Sequence, residues 1–140
     1  MSRRLECEII EDDDRFFQLE ASWRGLYEES SNASASLHWE WQSQWWRVFK
    51  QQQLLQVALF WHGGTLAAIL PLYREILPDG LRCLRFLSCS SSRTEGLYPE
   101  YLDVLCREEW RNEVSAKLKP LLFSQEFAPW DVLMLETEII

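Results

Sequence analysis

The feature that most constrains this chain is a hairpin signal in the middle of the sequence. Alternate residues Val57, Leu59 and Trp61 share one side of a first strand, which is the periodicity of a half-buried strand. The pair Gly63-Gly64 follows, and glycine accepts the positive φ angles of a tight hairpin turn. The returning segment, Thr65–Glu75, is apolar on both faces, so we expect a central strand that is covered on both sides.

A proline lies inside that central strand. Pro71 has no N–H group and therefore cannot donate a hydrogen bond to a neighbouring strand. Prolines within sheets are confined to edge strands and bulges, so the sequence predicts a bulge or a local edge at this position.

The other elements follow from hydrophobic periodicity and from turn residues. We expect one α+β domain over residues 1–140, with a mixed, mainly antiparallel sheet, two helices on one face and a third helix on the other. If the last two strands are parallel, the helix between them is a right-handed crossover. In chain order the predicted elements are a strand at Glu6–Ile10, a helix capped by Asp12–Asp14, a helix through Trp39–Phe49, the hairpin, strands at Leu81–Leu87 and Tyr101–Leu105, a helix from about Glu108, and a strand at Trp130–Glu136.

The second predicted helix carries two apolar stripes, whereas an ordinary surface helix has one apolar face about 100° wide. The first stripe, which we expect against the sheet, contains Trp41, Trp45, Val48 and Phe49. The second stripe contains Trp39, Trp46 and Phe49. We predict that the second stripe forms an interface with another domain or with a second copy in a homodimer, the alternative being that all the tryptophans enter one core.

Composition and charge exclude several classes of protein. The 140 residues are 47% hydrophobic and 26% charged, as in a globular domain and unlike a disordered chain. The formal net charge of -8 argues against nucleic-acid binding, because proteins that bind the phosphate backbone need clustered cations. No apolar run approaches the roughly 18 residues of a membrane span, and no signal-peptide core is present. We therefore expect a cytoplasmic protein without membrane insertion.

Metal and hydrolase chemistry lack their usual sequence signals. The four cysteines include no CxxC pair, and the two histidines are far apart in the sequence, so no zinc site is predicted. No serine stands in a GxSxG motif, which is the usual setting of a hydrolase nucleophile. We expect reduced thiols and no metal.

Taken in order, these motifs resemble the N-terminal half of the CelD/FemAB-like branch of the GNAT acyltransferase superfamily, of the cellulose-biosynthesis CelD type. The resemblance implies a GNAT-like fold that stops after the fifth strand of the superfamily. It also implies transfer of an acyl or aminoacyl group to an envelope polysaccharide or a peptidoglycan-linked acceptor. The segments that carry it cover most of the chain and are Leu37–Phe49, Leu54–Trp61, Leu66–Tyr73, Leu84–Leu87, Tyr101–Val104 and Trp130–Leu133.

One departure from the superfamily concerns coenzyme A. In GNAT proteins its pyrophosphate binds at a glycine-bearing helix N-terminus, where free N–H groups and the helix dipole attract an anion. The matching segment here, Leu105–Glu109, has no glycine and ends in the carboxylates of Glu108 and Glu109, which already satisfy the positive helix end. We expect no cofactor in this segment. The resemblance implies that a second GNAT-like domain of a longer protein handles acetyl-CoA or another acyl donor.

The candidate substrate cleft is formed by the segment around and after the predicted strand Leu81–Leu87, up to and into the predicted strand Tyr101–Leu105. The serine-rich stretch Ser88–Arg93 offers hydroxyl and backbone groups to an anion, although a solvated loop has the same composition. The stretch Tyr98–Asp103 resembles an acidic-aromatic loop of the family, in which Glu100 or Asp103 is a weak candidate for a general base or an amine-binding group; ordinary turn carboxylates are the alternative. The cleft candidates are therefore Ser88, Ser90, Arg93, Tyr98 and Tyr101.

Two functions from different classes remain open at this point. The chain is either the N-terminal, non-CoA-binding half of an acyltransferase or a noncatalytic GNAT-like module for binding or dimerisation. The fold alone does not decide between them, because one fold hosts many unrelated functions.

Overall fold

A computed structural model of the chain describes residues 4–30, 37–50, 52–87, 104–124, 127 and 129–134. Within these ranges the protein is an α+β fold. The strands are β1 (Glu6–Ile10), β2 (Leu54–His62), β3 (Thr65–Ile76), β4 (Arg82–Phe86), β5 (Leu105–Cys106) and β6 (Val132–Met134). The helices are α1 (Asp13–Phe17), α2 (Glu20–Glu28), α3 (Trp39–Phe49) and α4 (Arg111–Leu122), the last preceded by a 3₁₀ turn at Glu108–Trp110.

The sheet is mixed and mainly antiparallel, as predicted. Its strand order is β1-β2-β3-β4-β6, and β5 also pairs with β3. Each pairing is antiparallel except that of β4 with β6, which is parallel. In the sequence, α4 lies between β4 and β6. The long strand β3 is central, since it pairs with β2, β4 and β5, and its side chains from Leu66 to Tyr73 are buried.

The predicted hairpin between β2 and β3 is confirmed. His62 pairs with Thr65, so the connection is a two-residue turn at Gly63 and Gly64. Gly63 has a φ angle of +59°, a left-handed conformation that side chains with a Cβ rarely adopt. The short loop and a register shift between Phe60 and Trp61 together set the pairing of the two longest strands, in which Pro71 is opposite Val57.

The helices lie on both faces of the sheet. On one face, the ring of Tyr73 lies 5.3 Å from the ring of Trp45 in α3, measured between centroids. On the other face, Phe60 of β2 lines a groove together with residues of α4. Phe60 is opposite Ala68 in β3 and therefore points to the same face as Ala68. Ala68 and Tyr73 are an odd number of positions apart, so Phe60 and Tyr73 point to opposite faces of the sheet. The positions of α3 and α4 on opposite faces agree with the prediction for these two helices.

The interface predicted on α3 is corrected by the burial of its side chains. Trp39 and Trp46 are 4% and 0% exposed, and Phe49 is partly buried, with its ring stacked on Trp45. Trp39 contacts the rings of Phe16 in α1 and Trp23 in α2. These residues therefore belong to the core of the single chain, and Trp39 and Trp46 are not available to a partner.

The outward side of α3 is instead formed by residues that we expected against the sheet. Trp41 is 40% exposed and Val48 is 66% exposed. The inward stripe includes two polar residues, Gln42 and Ser43, which are 0% and 2% exposed. Because these polar residues complete the buried face, a search for apolar residues at helical spacing placed Trp41 and Val48 wrongly, whereas Trp45 of the same stripe is buried as expected.

Candidate functional site

The substrate-cleft candidates fall in one segment of the chain. The residues in question, Ser88, Ser90, Arg93, Tyr98, Glu100, Tyr101 and Asp103, lie outside the described residues. The two residues that flank the segment, Leu87 and Val104, are described, and both are buried. The position of Leu87 and Val104 in the sheet therefore shows where the two ends of the segment are attached.

Both ends of the segment lie on the same edge of β3. Phe86 at the end of β4 is opposite Leu72, and Leu105 at the start of β5 is opposite Ile69. Thus β4 and β5 follow one line along β3, and residues 88–103 are inserted between neighbouring positions of that line. We call this position, between Leu87 and Val104, the strand break.

Pro71 accounts for the strand break. The backbone N–H of Leu87 donates to the carbonyl of Pro71 at 2.9 Å. Residues in such an antiparallel pair normally exchange two hydrogen bonds, but Pro71 has no N–H with which to return one. Among the described residues, pairing with this edge of β3 resumes at Leu105. Pro71 is therefore flanked on both sides, by Val57 of β2 and by Leu87, and its missing N–H coincides with the strand break.

A buried ion pair lies next to the strand break. Arg85 Nε donates to Glu75 Oε1 at 2.9 Å, and the two side chains are only 5% and 9% exposed. Arg85 is opposite Tyr73 in the register, and Glu75 is two residues beyond Tyr73, so all three side chains lie on the face covered by α3. Arg85 precedes Leu87 by two residues, which places the pair at the end of the strand from which residues 88–103 depart.

The electrostatics of the pair keep the guanidinium charged. Burial acts to lower the pKa of Arg85, but the hydrogen bond that Arg85 donates to Glu75 and the electrostatic interactions with Cys83, Glu75 and Tyr73 outweigh it, so the pKa is raised above its usual value. A buried ion pair requires desolvation of two charges, and such perturbed groups are concentrated at functional sites. The pair suits a positioning role, since it fixes charge and geometry at the strand break.

The start of α4 carries the carboxylates expected there. Glu108 and Glu109 are exposed in the 3₁₀ turn that leads into α4, and Glu108 Oε2 lies 3.2 Å from Arg111 Nε. The preceding Arg107 is anchored to β3, because its backbone N–H donates to the carbonyl of Ala67 at 3.0 Å and its Nε donates to that of Leu66 at 2.9 Å. The acidic turn is thus held at a defined position beside the sheet.

A second ion pair fixes the parallel strand β6 against β4. Both side-chain oxygens of Asp131 accept hydrogen bonds from the guanidinium of Arg82, and Asp131 also accepts one from the backbone N–H of Arg82. These hydrogen bonds lower the pKa of Asp131 to about 2. The contact sets where the chain enters β6 after α4.

Sequence reasoning did not assign a role to Glu75 or to the pair it forms. The available signal was a charged residue beside apolar neighbours in each of two strands: Arg85 between Leu84 and Phe86, and Glu75 near the end of β3. A charge at a buried strand position needs a partner. The register of β3 with β4 determines which residue is the partner. The sequence does not reveal this register, because it depends on tertiary contacts.

Comparisons with known proteins find no match among protein-family models, curated proteins or solved structures. Among the described residues, no three His, Cys, Asp or Glu side chains are grouped as metal ligands would be. In the same part of the chain, no helix is both long and apolar enough to cross a membrane.

Proposed function

We propose that this chain is the N-terminal, substrate-cleft half of an acyltransferase with a GNAT-like fold. In this proposal it works with a second GNAT-like domain that binds acetyl-CoA or another acyl donor. The acceptor is an envelope polysaccharide or a peptidoglycan-linked group, which receives an acyl or aminoacyl group. The proposal rests on the resemblance of the sequence motifs, and three observations of the structure support it.

The first support is the topology. A GNAT domain is expected to run through a mainly antiparallel sheet and then through a helix to a parallel strand. Since β4 and β5 follow one line, the sheet has five strand positions, in the order β1, β2, β3, β4 with β5, and β6. The only parallel pair among the described strands is β4 with β6, and α4 stands between them in the sequence.

The second support is the strand break, which is the single observation that carries the proposed cleft. Ser88 is bonded to Leu87 and Asp103 is bonded to Val104, so chain connectivity brings both ends of the candidate segment to one edge of β3. The first residue of the serine-rich stretch and the last residue of the acidic-aromatic stretch are therefore attached to neighbouring positions of this edge. A pair of fixed charges, Glu75 and Arg85, lies beside it.

The third support concerns the acyl donor. The exposed carboxylates of Glu108 and Glu109 occupy the helix start at which GNAT proteins bind the coenzyme A pyrophosphate. Two negative charges there repel a phosphate group and already interact with the positive end of the helix. The proposal therefore assigns donor binding to the second domain.

Calorimetric titration of the chain with acetyl-CoA is expected to show no binding tighter than about 1 mM, equivalent to a free energy near -4 kcal/mol. A micromolar dissociation constant would overturn the assignment of donor binding to another domain. The double variant Glu108→Gln/Glu109→Gln, titrated in the same way, tests the physical reason. Removal of the two charges should tighten the binding, and an unchanged affinity would show that the carboxylates are not what disfavours coenzyme A.

The alternative is a noncatalytic GNAT-like module for binding or dimerisation. The observation that favours it is the exposure of Trp41 and Val48 on the outward side of α3, since large apolar side chains at a helix surface are typical of contact surfaces. This alternative predicts no binding of acceptor fragments at the strand break.

A further inference from the structure

A groove lies between α4 and the part of the sheet formed by β1 and β2. Its volume is about 660 Å³, and it opens to solvent along the helix. Side chains from β1 and β2 and from the segment before β1 form one wall, including Leu5, Cys7 and Phe60, while α4 supplies Ala116 and Leu121 on the other. Small-molecule sites in proteins are typically clefts of about 300–1,000 Å³ with mainly apolar walls, and the groove falls within that range.

The sequence of α4 explains why the groove is open. Ala116 and Pro120 both line it and are four residues apart, so they lie on the same side of the helix, one turn apart. Neither side chain is long enough to fill the space above Phe60, which is itself 1% exposed. A leucine at either position would fill much of this volume, and the short side chains leave it accessible.

One cation stands at the rim of the groove. Lys117 lines it and is exposed. Within the described ranges, Lys117 has no hydrogen bond and no ion pair. Glu113, one turn earlier on the same wall, already takes part in an interaction within the protein. Lys117 therefore offers a ligand a positive group that no described residue pairs with, next to the carboxylate of Glu113.

We propose that this groove binds a single-chain amphiphile with an anionic head group, such as a long-chain fatty carboxylate. The alkyl chain lies along the groove against Leu5, Phe60 and Leu121, and the carboxylate contacts Lys117. Nothing in this assignment depends on acyl transfer, so it goes beyond the function proposed above.

An alkyl chain fits the walls better than a peptide does. A peptide brings a backbone N–H and a carbonyl with every residue, and each loses free energy if it is buried without a hydrogen-bond partner. The walls formed by Leu5, Phe60 and Leu121 offer none from their side chains. A hydrocarbon chain has no such groups, and it gains free energy in proportion to the apolar area that it buries.

Titration with saturated carboxylates of eight, ten and twelve carbons, below their micelle concentrations, tests the proposal. Each added pair of methylenes is expected to tighten the dissociation constant by about tenfold. Ala116→Trp fills the groove and should abolish binding. Ser115→Trp is the matched control, because Ser115 is also exposed on α4 but does not line the groove, and this variant should bind normally. An affinity that does not depend on chain length would overturn the proposal, and so would equal effects of the two variants.

Two further measurements test the head group and the place of binding. Lys117→Glu should weaken binding of dodecanoate at least tenfold but should strengthen binding of dodecyltrimethylammonium, whereas equal effects on both ligands would contradict the contact with the carboxylate. Because Cys7 is exposed and lines the groove, saturation with dodecanoate should slow its alkylation, followed by mass spectrometry of the Cys7 peptide. This readout uses the unchanged protein and decides the matter if Ala116→Trp fails to fold. Binding to phospholipid vesicles without binding of the free carboxylate would also overturn the proposal.

Discussion

Replacement of Trp46 by alanine is expected to lower the free energy of unfolding by about 3–5 kcal/mol, the usual cost of truncating a buried aromatic side chain. Trp46 is fully buried and its ring lies 5.9 Å from that of Tyr73 between centroids. Its Nε1 also donates to Asp13 Oδ1 at 3.1 Å, so the substitution removes a link between α3 and α1. Since a domain of this kind has only about 5–15 kcal/mol of stability, the variant should be close to unfolding.

Trp41→Ala is the matched control for this prediction. Trp41 lies in the same helix and is 40% exposed, so its removal should cost less than about 1 kcal/mol. Urea unfolding followed by circular dichroism measures both variants. If Trp41→Ala lowers the free energy of unfolding more than Trp46→Ala does, then Trp41 and not Trp46 faces the core. The outcome would then support the prediction from the sequence that Trp46 lies in an interface.

Replacement of Arg85 by methionine is expected to cost about 3–5 kcal/mol of the free energy of unfolding, because it leaves the buried carboxylate of Glu75 without its guanidinium partner. The two side chains are almost wholly inaccessible to water, so solvent cannot compensate for the loss. The same urea unfolding experiment measures the change. A loss below about 1 kcal/mol would show that the pair is not a coupled buried pair.

The double variant Glu75→Leu/Arg85→Met separates charge pairing from packing. Replacing both partners of a buried ion pair by apolar residues is often neutral or stabilising, so the double variant should be more stable than Arg85→Met alone. If the effect of the double variant on the free energy of unfolding equals the sum of the effects of Glu75→Leu and Arg85→Met measured singly, Glu75 and Arg85 act independently. If the double variant is stable yet loses binding of an acceptor fragment, the pair serves the site more than the fold.

The parts of the fold that were predictable from the sequence depend on local patterns. The hairpin needs only Gly63-Gly64 and the alternation of apolar residues on either side. The central position of β3 follows from its apolar character on both faces, and the break beside Pro71 follows from the missing N–H. Each of these properties belongs to a short stretch of chain, and tertiary contacts do not alter it.

Other features were not predictable because they depend on contacts distant in sequence. The strands around Leu87 and Leu105 were predicted without a place in the sheet, and both lie along the same edge of β3; only the register with β3 reveals this. The orientation of α3 depends on the burial of Gln42 and Ser43, which a hydrophobic pattern does not detect. The partner of Arg85 was not predictable either, because it depends on the register of β3 with β4.

The most direct test of the proposed function is an amide NMR titration of the chain with acceptor fragments, namely glucosamine, cellobiose and muramyl dipeptide. The proposal predicts that at least one fragment shifts the backbone amides at the strand break, from Arg85 to Leu87 and from Val104 to Leu105, and leaves Ala116 of α4 unchanged. Shifts confined to other surfaces, or no shifts at millimolar concentrations of all three fragments, would contradict a substrate cleft at this position and leave the noncatalytic module as the better account.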